Sequence, residues 1–282
     1  MMKTIAGKTV LLTGASRGIG VVIARALAIE QATVVGVSRS KSGLDKFCAE
    51  VEAAGGKGHV VPFDISNVEE LPTLVQQINQ LADPIDILIN NAAIEKYRAF
   101  QDYSLEDLQS VLATNLFAAM ELTRLVLPSM VGRGSGHIVN IASLAGKKGV
   151  PYNSVYSASK AGLIVWSDAI RQELANTNVG ISAICPGYVS QAGMTVDTRV
   201  PAPSLGGIST PDDVVNAVLK AIKQNKAEVI VNQSLVTESF TRVLFAIGQL
   251  FPGFGDLVYR RVGVVKLNHR RAKDQMCAEN IV

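Results

Sequence analysis

The sequence predicts an α/β protein built on a parallel, doubly wound sheet. Short apolar runs alternate with longer amphipathic segments along most of the 282 residues, and repeated strand–helix alternation is typical of parallel sheets. The runs are continuously apolar rather than alternating with polar residues, which indicates strands covered on both faces. Hydrophobic residues make up 48% of the chain, enough to bury a sizeable core.

Seven apolar runs have the length of buried strands, at 8–13, 32–37, 58–63, 85–90, 136–142, 179–185 and 228–231. Segments of helical character separate them, at 18–31, 42–54, 68–81, 105–130, 154–176 and 211–224. Segment 190–209 differs because it is rich in the turn residues Gly193, Pro201, Pro203, Gly206 and Gly207. We expect it to form a mobile loop or lid.

Composition excludes several classes of protein. The net charge of +3 is too small for a nucleic-acid footprint. The three cysteines and three histidines are widely scattered, which argues against a disulfide framework and against a metal site. The N-terminus reaches the first strand too early for a signal peptide. We therefore expect a protein of a reducing compartment, cytoplasmic by default.

A glycine-rich turn follows the first predicted strand and opens directly into a helix. Gly14 permits a tight turn, Gly18 permits close approach of a ligand, and Gly20 permits close helix–strand packing. A pyrophosphate would meet free amides at this helix N-terminus. The alternative is a glycine-rich connection without a ligand. The predicted cofactor contacts in the turn are Gly14, Ser16, Arg17, Gly18, Ile19 and Gly20.

Tyr156 and Lys160 stand four residues apart in a predicted helix, so they share one face. A phenol is a poor acid or base at neutral pH, and a neighbouring ammonium lowers its pKa. Ser143 can add a hydroxyl that orients a substrate oxygen. The three residues predict a proton-transfer site for a carbonyl or an alcohol. The alternative for the Tyr–Lys pair alone is an ordinary solvated helix face.

The motifs together resemble the short-chain dehydrogenase/reductase family over residues 8 to 231. The resemblance rests on the glycine turn 13–20, Asn90-Asn91-Ala92, Asn115, Ser143, Tyr156, Lys160 and Pro186-Gly187, which stand in the family's order. It implies a Rossmann-type sheet of about seven parallel strands that binds a nicotinamide cofactor. Ala93 stands where the family usually has glycine. Its extra methyl group would shift the backbone beside the cofactor, and hence the cofactor's position, slightly.

The family implies a role for each catalytic residue. Tyr156 would be the general acid in reduction and the general base in oxidation. Lys160 would lower the pKa of Tyr156 and bind the nicotinamide ribose, and Ser143 would orient the substrate oxygen. Asn115 would hold a water in a proton relay behind Lys160; its alternative role is to cap or kink its helix.

Further cofactor contacts follow from the same resemblance. Asp64 would contact the adenine ring, with a turn residue as its alternative role, and Asn91 would lie against a ribose. Pro186, Gly187 and Val189 would pass beside the nicotinamide.

The end of the second strand predicts which dinucleotide binds. An acidic residue there favours NAD, whereas this chain has Ser38 and Arg39. Together with Arg17, these side chains can bind a 2′-phosphate, because the guanidinium fork matches phosphate. The alternative is that both arginines are merely solvated. We expect NADP(H) as cofactor and reduction as the direction of reaction.

The substrate pocket is expected at 95–98, 144–150, Tyr152 and the segment after Gly187. Its apolar residues predict a fairly apolar ketone or aldehyde as substrate. The alternative function is a non-catalytic nucleotide sensor of the same fold. The resemblance also implies a homo-oligomer, a dimer or tetramer.

Residues 233–282 form an extension beyond a catalytic domain at 1–232. It has an apolar stretch from Phe240 to Phe251, a break at 252–255, a helical piece at 256–262 and a basic tail. One interpretation is a helix packed on the domain or on another subunit, followed by a solvated basic tail. The other is peripheral contact with an anionic membrane through 235–273, which would suit a lipid-like substrate.

Overall fold

The computed structural model describes residues 2–198, 200–202, 208–231 and 235–279. The expected domain boundary at 232–233 lies outside these residues. So do Pro203, Gly206 and Gly207 of the expected lid.

The described residues contain nine strands. They are β1 (Thr9–Thr13), β2 (Thr33–Ser38), β3 (Lys57–Pro62), β4 (Ile87–Asn90), β5 (Gly136–Ile141), β6 (Val179–Pro186), β7 (Tyr188–Val189), β8 (Ile208–Ser209) and β9 (Glu228–Val231). Seven of these strands form one parallel sheet in the order β3-β2-β1-β4-β5-β6-β9. The short strands β7 and β8 pair with each other. The strand order reverses between β1 and β4, which opens a crevice at their carboxyl ends.

Helices connect and cover these strands. They are α1 (Ile19–Ile29), α2 (Lys41–Ala53), α3 (Leu71–Leu81), α4 (Leu105–Leu112), α5 (Ala118–Gly132), α6 (Ser154–Glu173), α7 (Met194–Asp197), α8 (Pro211–Gln224), α9 (Leu235–Leu250), α10 (Pro252–Arg261) and α11 (Val264–Glu279). A π-helical turn, Ala113–Phe117, joins α4 to α5.

The sheet separates two apolar layers because successive strand residues point to opposite faces. In β1, Val10 and Leu12 pack with α1, α2 and α8, whereas Leu11 packs with α3 and α5. Phe47 of α2 and Leu122 of α5 are fully buried in the two layers. The expected Rossmann-type doubly wound sheet with helices on both faces is confirmed.

One continuous helix among the described residues, Leu105–Gly132, is long and apolar enough by length and composition to cross a membrane. It includes α4, the π turn and α5. Leu122, Val126 and Met130 bury one face of it against the sheet. The helix is therefore an integral part of the folded core.

The extension differs from the sequence expectation in two ways. The break between two helices lies at Phe251 rather than at 252–255: Pro252 already begins α10, because proline is well suited to the first position of a helix. The expectation of a solvated basic tail is wrong for Arg271, which lies in α11 and is 2% exposed. Hydrogen-bond acceptors from a neighbouring segment make its burial tolerable.

Candidate active site

The glycine turn after β1 is held against the end of β4. The Asn91 side chain donates to the carbonyls of Thr13 and Gly14 at 3.0 and 3.2 Å. A Cβ on Gly14 would lie 2.8 Å from the Cα of Ala92, and one on Gly20 would lie 2.2 Å from the carbonyl oxygen of Gly14. These two positions therefore exclude any side chain.

Gly18 stands at the N-cap of α1 with φ of 62° and supplies no side-chain cap. The first-turn amides of α1 consequently remain available to an anion. A large cavity opens beside this turn, and Ser16 and Ile19 line it. The turn thus fits the pyrophosphate of a dinucleotide.

The polar residues expected at the adenosine end converge at the ends of β2 and β3. The hydroxyls of Ser16 and Ser38 lie 2.6 Å apart. Arg39 forms an ion pair with Asp64 at 3.7 Å, and both side chains line the cavity. Asp64 also accepts from the amide and hydroxyl of Ser66, so it makes the turn that the alternative interpretation foresaw.

Arg17 lies in the glycine turn and lines the same cavity as this group. Its Nη1 contacts the carboxylate of Asp197 in α7 at 2.6 Å, and both side chains are largely exposed. Arg17 and Arg39 therefore lie on one cavity wall, each with an exposed acidic neighbour.

Tyr156, Ser143 and Lys160 meet in the same cavity, away from the adenosine end formed by Ser38, Arg39 and Asp64. Tyr156 and Lys160 share one face of α6, with the Nζ of Lys160 5.6 Å from the centroid of the Tyr156 ring. Lys160 donates to the carbonyl of Ile141 at 2.7 Å. Ser143 follows β5, accepts from the amide of Ala145 at 3.1 Å and reaches the Tyr156 hydroxyl.

Burial controls the protonation of this group. Burial raises the pKa of Tyr156, the Glu95 carboxylate raises it further, and the hydrogen bond with Ser143 opposes both. Burial also lowers the pKa of Lys160 to about 8. Burial and Glu95 therefore raise the pKa of Tyr156, whereas Lys160 was expected to lower it. The phenol consequently stays protonated at neutral pH.

Asn115 lies in the π turn and is almost fully buried. Its side chain accepts from the amide of Ile94 at 2.8 Å and donates to the carbonyl of Ile94 at 2.9 Å. It also donates to the hydroxyl of Ser159 at 3.1 Å. Asn115 thus fastens the segment after β4 to α6 directly behind Tyr156.

The loop after β6 completes the catalytic end. Pro186, Gly187 and Val189 line the cavity, and the carbonyl of Pro186 accepts from Ser143. The whole cavity has a volume of about 1170 Å³ and extends from Arg39 past Tyr156 to α9 and α10. All the sequence-predicted cofactor residues line it. Asn115 does not line it and lies behind its wall.

The expected pocket segments only partly face this cavity. Glu95 and Tyr97 line it, whereas Lys96 and Arg98 form ion pairs with Glu279 of α11. Tyr152 is not among the lining residues, and its ring packs 5.0 Å from that of His269. Half of segment 95–98 therefore forms ion pairs with α11, and Lys96 and Arg98 also pair with Asp107 of α4.

The expected pocket segments contain Glu95, Tyr97 and Tyr188, but the sequence did not predict that Asn153 and Arg271 join them beside Tyr156. The Glu95 carboxylate accepts from the side chain of Asn153 at 3.1 Å, and burial raises the pKa of Glu95. The Arg271 guanidinium lies 5.7 and 5.3 Å from the rings of Tyr97 and Tyr188. Asn153 stands three residues before Tyr156, and this spacing was the sequence signal that could have placed it in the group.

A doubly wound sheet, a phosphate-binding glycine turn at its switch point and a Tyr–Lys pair in the same cavity define a dinucleotide-dependent oxidoreductase. The family model described as short chain dehydrogenase matches residues 8–201. The chain belongs to this family of oxidoreductases.

Similar proteins include both close and distant reductases. Ketoacyl reductase HetN of Nostoc sp. is 64% identical over 275 residues, which cover 98% of this chain and 96% of that protein. A 3-oxoacyl-[acyl-carrier-protein] reductase of Synechocystis sp. is 36% identical over 190 residues, which cover 67% of this chain and 77% of that protein.

Solved structures show the same similarity. A metagenomic short-chain oxidoreductase in complex with NADP has a TM-score of 0.71 and 31% identity, covering 82% of this chain and 99% of its own. A variant of actinorhodin polyketide ketoreductase with NADPH has a TM-score of 0.75 and 31% identity, covering 82% and 97%.

Proposed function

We propose that the protein is an NADP(H)-dependent reductase that converts a ketone or aldehyde of a fairly apolar small molecule to an alcohol. The observation that carries the proposal is that the glycine turn and Tyr156 open into one cavity. The ketoacyl reductase relatives and the NADP-bound structural neighbours support the same cofactor and reaction class.

The dinucleotide would be held by the residues that line its end of the cavity. We assign its pyrophosphate to the turn formed by Gly14, Ser16, Gly18, Ile19 and Gly20, with Arg17, Ser38 and Arg39 toward the adenosine phosphate. Asp64 and Asn91 would contact the adenosine half, and Pro186, Gly187 and Val189 the nicotinamide half. When bound, the cofactor supplies a hydride.

The chain's own residues handle the proton. Tyr156 holds its proton at neutral pH because burial raises its pKa, and it donates this proton to the substrate oxygen, which Ser143 orients. The phenolate that remains is stabilised by the Lys160 ammonium. The side chain of Asn115 is engaged with Ile94 and Ser159, so its role in a proton relay behind Lys160 stays a prediction.

The domain organisation belongs to the same proposal. Residues 1–232 would form the catalytic domain, and 233–282 an extension that covers the substrate end of its cavity. Assembly into dimers or tetramers and a cytoplasmic location stay predictions.

The test is turnover of NADPH and NADH with ketones, aldehydes and acyl thioesters. We expect NADPH to be preferred, and Tyr156→Phe to lose about 10³-fold in kcat while it still binds NADPH. Tyr103→Phe is the matched control, since Tyr103 lies outside the cavity lining. NADPH binding without turnover of any carbonyl would favour the non-catalytic sensor instead.

A further inference from the structure

The cavity continues from Tyr156 beneath the C-terminal extension. Helices α9 and α10 supply one wall of it, with Phe240, Leu244, Phe245, Gly248, Phe254 and Val258 among the lining residues. These side chains are uncharged and almost entirely hydrocarbon. From Phe240 to Gly248 the wall extends about 12 Å along α9.

This wall contacts the residues that follow Ser143 in the chain. Phe245 packs on the core cluster that contains Leu144, the residue after Ser143. Lys148 forms an ion pair with Asp256 of α10 at 2.7 Å, and its Nζ lies 5.9 Å from the centroid of the Tyr259 ring. The wall therefore has a defined position relative to the reacting group.

Two glycines let the helices of the wall cross closely. A Cβ on Gly248 of α9 would lie 3.9 Å from the Cα of Gly255 in α10. A Cβ on Gly255 would lie 3.3 Å from the Lys148 side chain. Both glycines line the cavity, so the crossing itself bounds the space.

We propose that α9 and α10 form a compartment for the linear hydrocarbon chain of the substrate, whose carbonyl is reduced at Tyr156. This inference rests on the proposed function and specifies its substrate class. The polar residues Glu95, Asn153 and Tyr156 lie at the reacting end. Beyond them the wall is mainly hydrocarbon, with Thr241, Tyr259 and Lys148, which pairs with Asp256, as its polar residues. Such a division suits a molecule with one polar end and one extended apolar end.

The proposal predicts how activity depends on chain length. Each methylene that enters an apolar wall should raise kcat/KM by about fourfold until the compartment is full. The measurement is kcat/KM with NADPH for linear 2-ketones of about four to about twelve carbons.

Leu244→Trp fills the compartment from inside. It should lower the ratio of kcat/KM for the longest to the shortest ketone by at least about tenfold, equivalent to two methylenes. Val243→Trp is the matched control, because the neighbouring Val243 is 57% exposed and does not line the cavity. Thermal unfolding and NADPH binding check that each variant is folded, and Val258→Phe replaces Leu244→Trp if that variant does not fold.

The outcomes separate this inference from the proposed function. Turnover of short and long ketones with equal kcat/KM in the unchanged protein would overturn the compartment and leave the reductase intact. An equal fall of the long-to-short ratio of kcat/KM in Val243→Trp and in Leu244→Trp, or in its replacement Val258→Phe, would also overturn the compartment. Absence of turnover with every carbonyl would overturn the proposed function itself.

Discussion

The guanidinium of Arg271 donates a hydrogen bond from Nη2 to the backbone carbonyl of Val200 at 2.9 Å. The same nitrogen reaches the carbonyl of Pro201 at 3.0 Å, and Nε reaches the hydroxyl of Thr198 at 3.3 Å. Helix α11 is thereby joined to the segment after α7, and Gly193 and Met194 at the start of α7 line the cavity. The buried cation of Arg271 thus links α11 to the segment after α7, in addition to the contacts of Gln275 and Glu279 with residues 96–98.

Arg271→Met should loosen this connection. The buried carbonyl of Val200 and the partly buried carbonyl of Pro201 would lose their charged donor, at a cost of about 3 kcal/mol. A loss of that size lowers Tm by roughly 5–10 °C in a chain of this length. The KM for the carbonyl substrate should rise several-fold, because the segment after α7 is released.

Arg270→Met is the matched control for Arg271. Arg270 is 67% exposed and pairs only loosely, at 3.7 Å, with Asp274 on the same helix. Its replacement should leave both Tm and KM within error. Equal changes in the two variants would show that both substitutions act on the stability of helix α11 as a whole, rather than through the hydrogen bonds of Arg271.

Arg39→Ala should weaken use of NADPH selectively. A charge-assisted hydrogen bond to phosphate is worth about 1.5–3 kcal/mol, so kcat/KM for NADPH should fall about 10- to 100-fold. The value for NADH should stay nearly constant, because NADH lacks the 2′-phosphate. Steady-state kinetics with both cofactors measures the ratio.

Arg25→Ala serves as the control for Arg39. Arg25 is an exposed residue of α1 and is not part of the cavity lining. Its removal changes the net charge by the same amount without touching the site. If both variants lost NADPH preference equally, general electrostatic attraction would be the cause, and the assignment of Arg39 would be wrong.

Glu95→Gln should move the alkaline limb of the pH profile. The Glu95 carboxylate raises the pKa of Tyr156, so an uncharged amide lowers it. Reduction requires the protonated phenol and is lost as pH rises through this pKa. Activity in the variant should therefore begin to fall at lower pH than in the unchanged protein.

The measurement is kcat/KM for reduction across alkaline pH, with Glu106→Gln as control. Glu106 is exposed at the start of α4 and lies outside the cavity lining. An unchanged profile in Glu95→Gln would mean that Tyr156 does not control the alkaline limb.

Local sequence patterns predicted the parts of the site that are themselves local. The glycine turn depends on Gly14 and its neighbours in sequence, and Tyr156 and Lys160 meet through one turn of helix. The sheet followed from strands whose apolar character is continuous. Each of these features is determined within a few residues or by the regular alternation of elements.

The contribution of the extension could not be predicted in the same way. Arg271 lies in a basic stretch that is typical of a solvated surface, and its burial is made tolerable by acceptors on Thr198, Val200, Pro201 and Asn268. Asn115 likewise finds its partners at Ile94 and Ser159, 21 and 44 residues away. Such pairings depend on tertiary packing and leave no periodic signal.

The outer faces of α9 and α10 carry exposed apolar side chains. Leu250 is 75% exposed, Phe251 64% and Leu257 46%, and the exposed cations Arg260 and Arg261 follow on α10. Grouped apolar side chains beside cations are typical of surfaces that contact anionic membranes. We predict that the protein binds vesicles containing anionic lipid more strongly than neutral vesicles.

The double variant Leu250→Glu, Phe251→Glu should reduce co-sedimentation with anionic vesicles about tenfold or more. It removes the two apolar side chains that would insert into the bilayer, and it places two negative charges at an anionic surface. Ile29→Glu is the control, because Ile29 is 62% exposed at the end of α1, away from the extension. If the double variant co-sedimented unchanged but its molecular mass in solution fell, these helices would form a subunit interface instead, since the same apolar face suits a second copy of the chain.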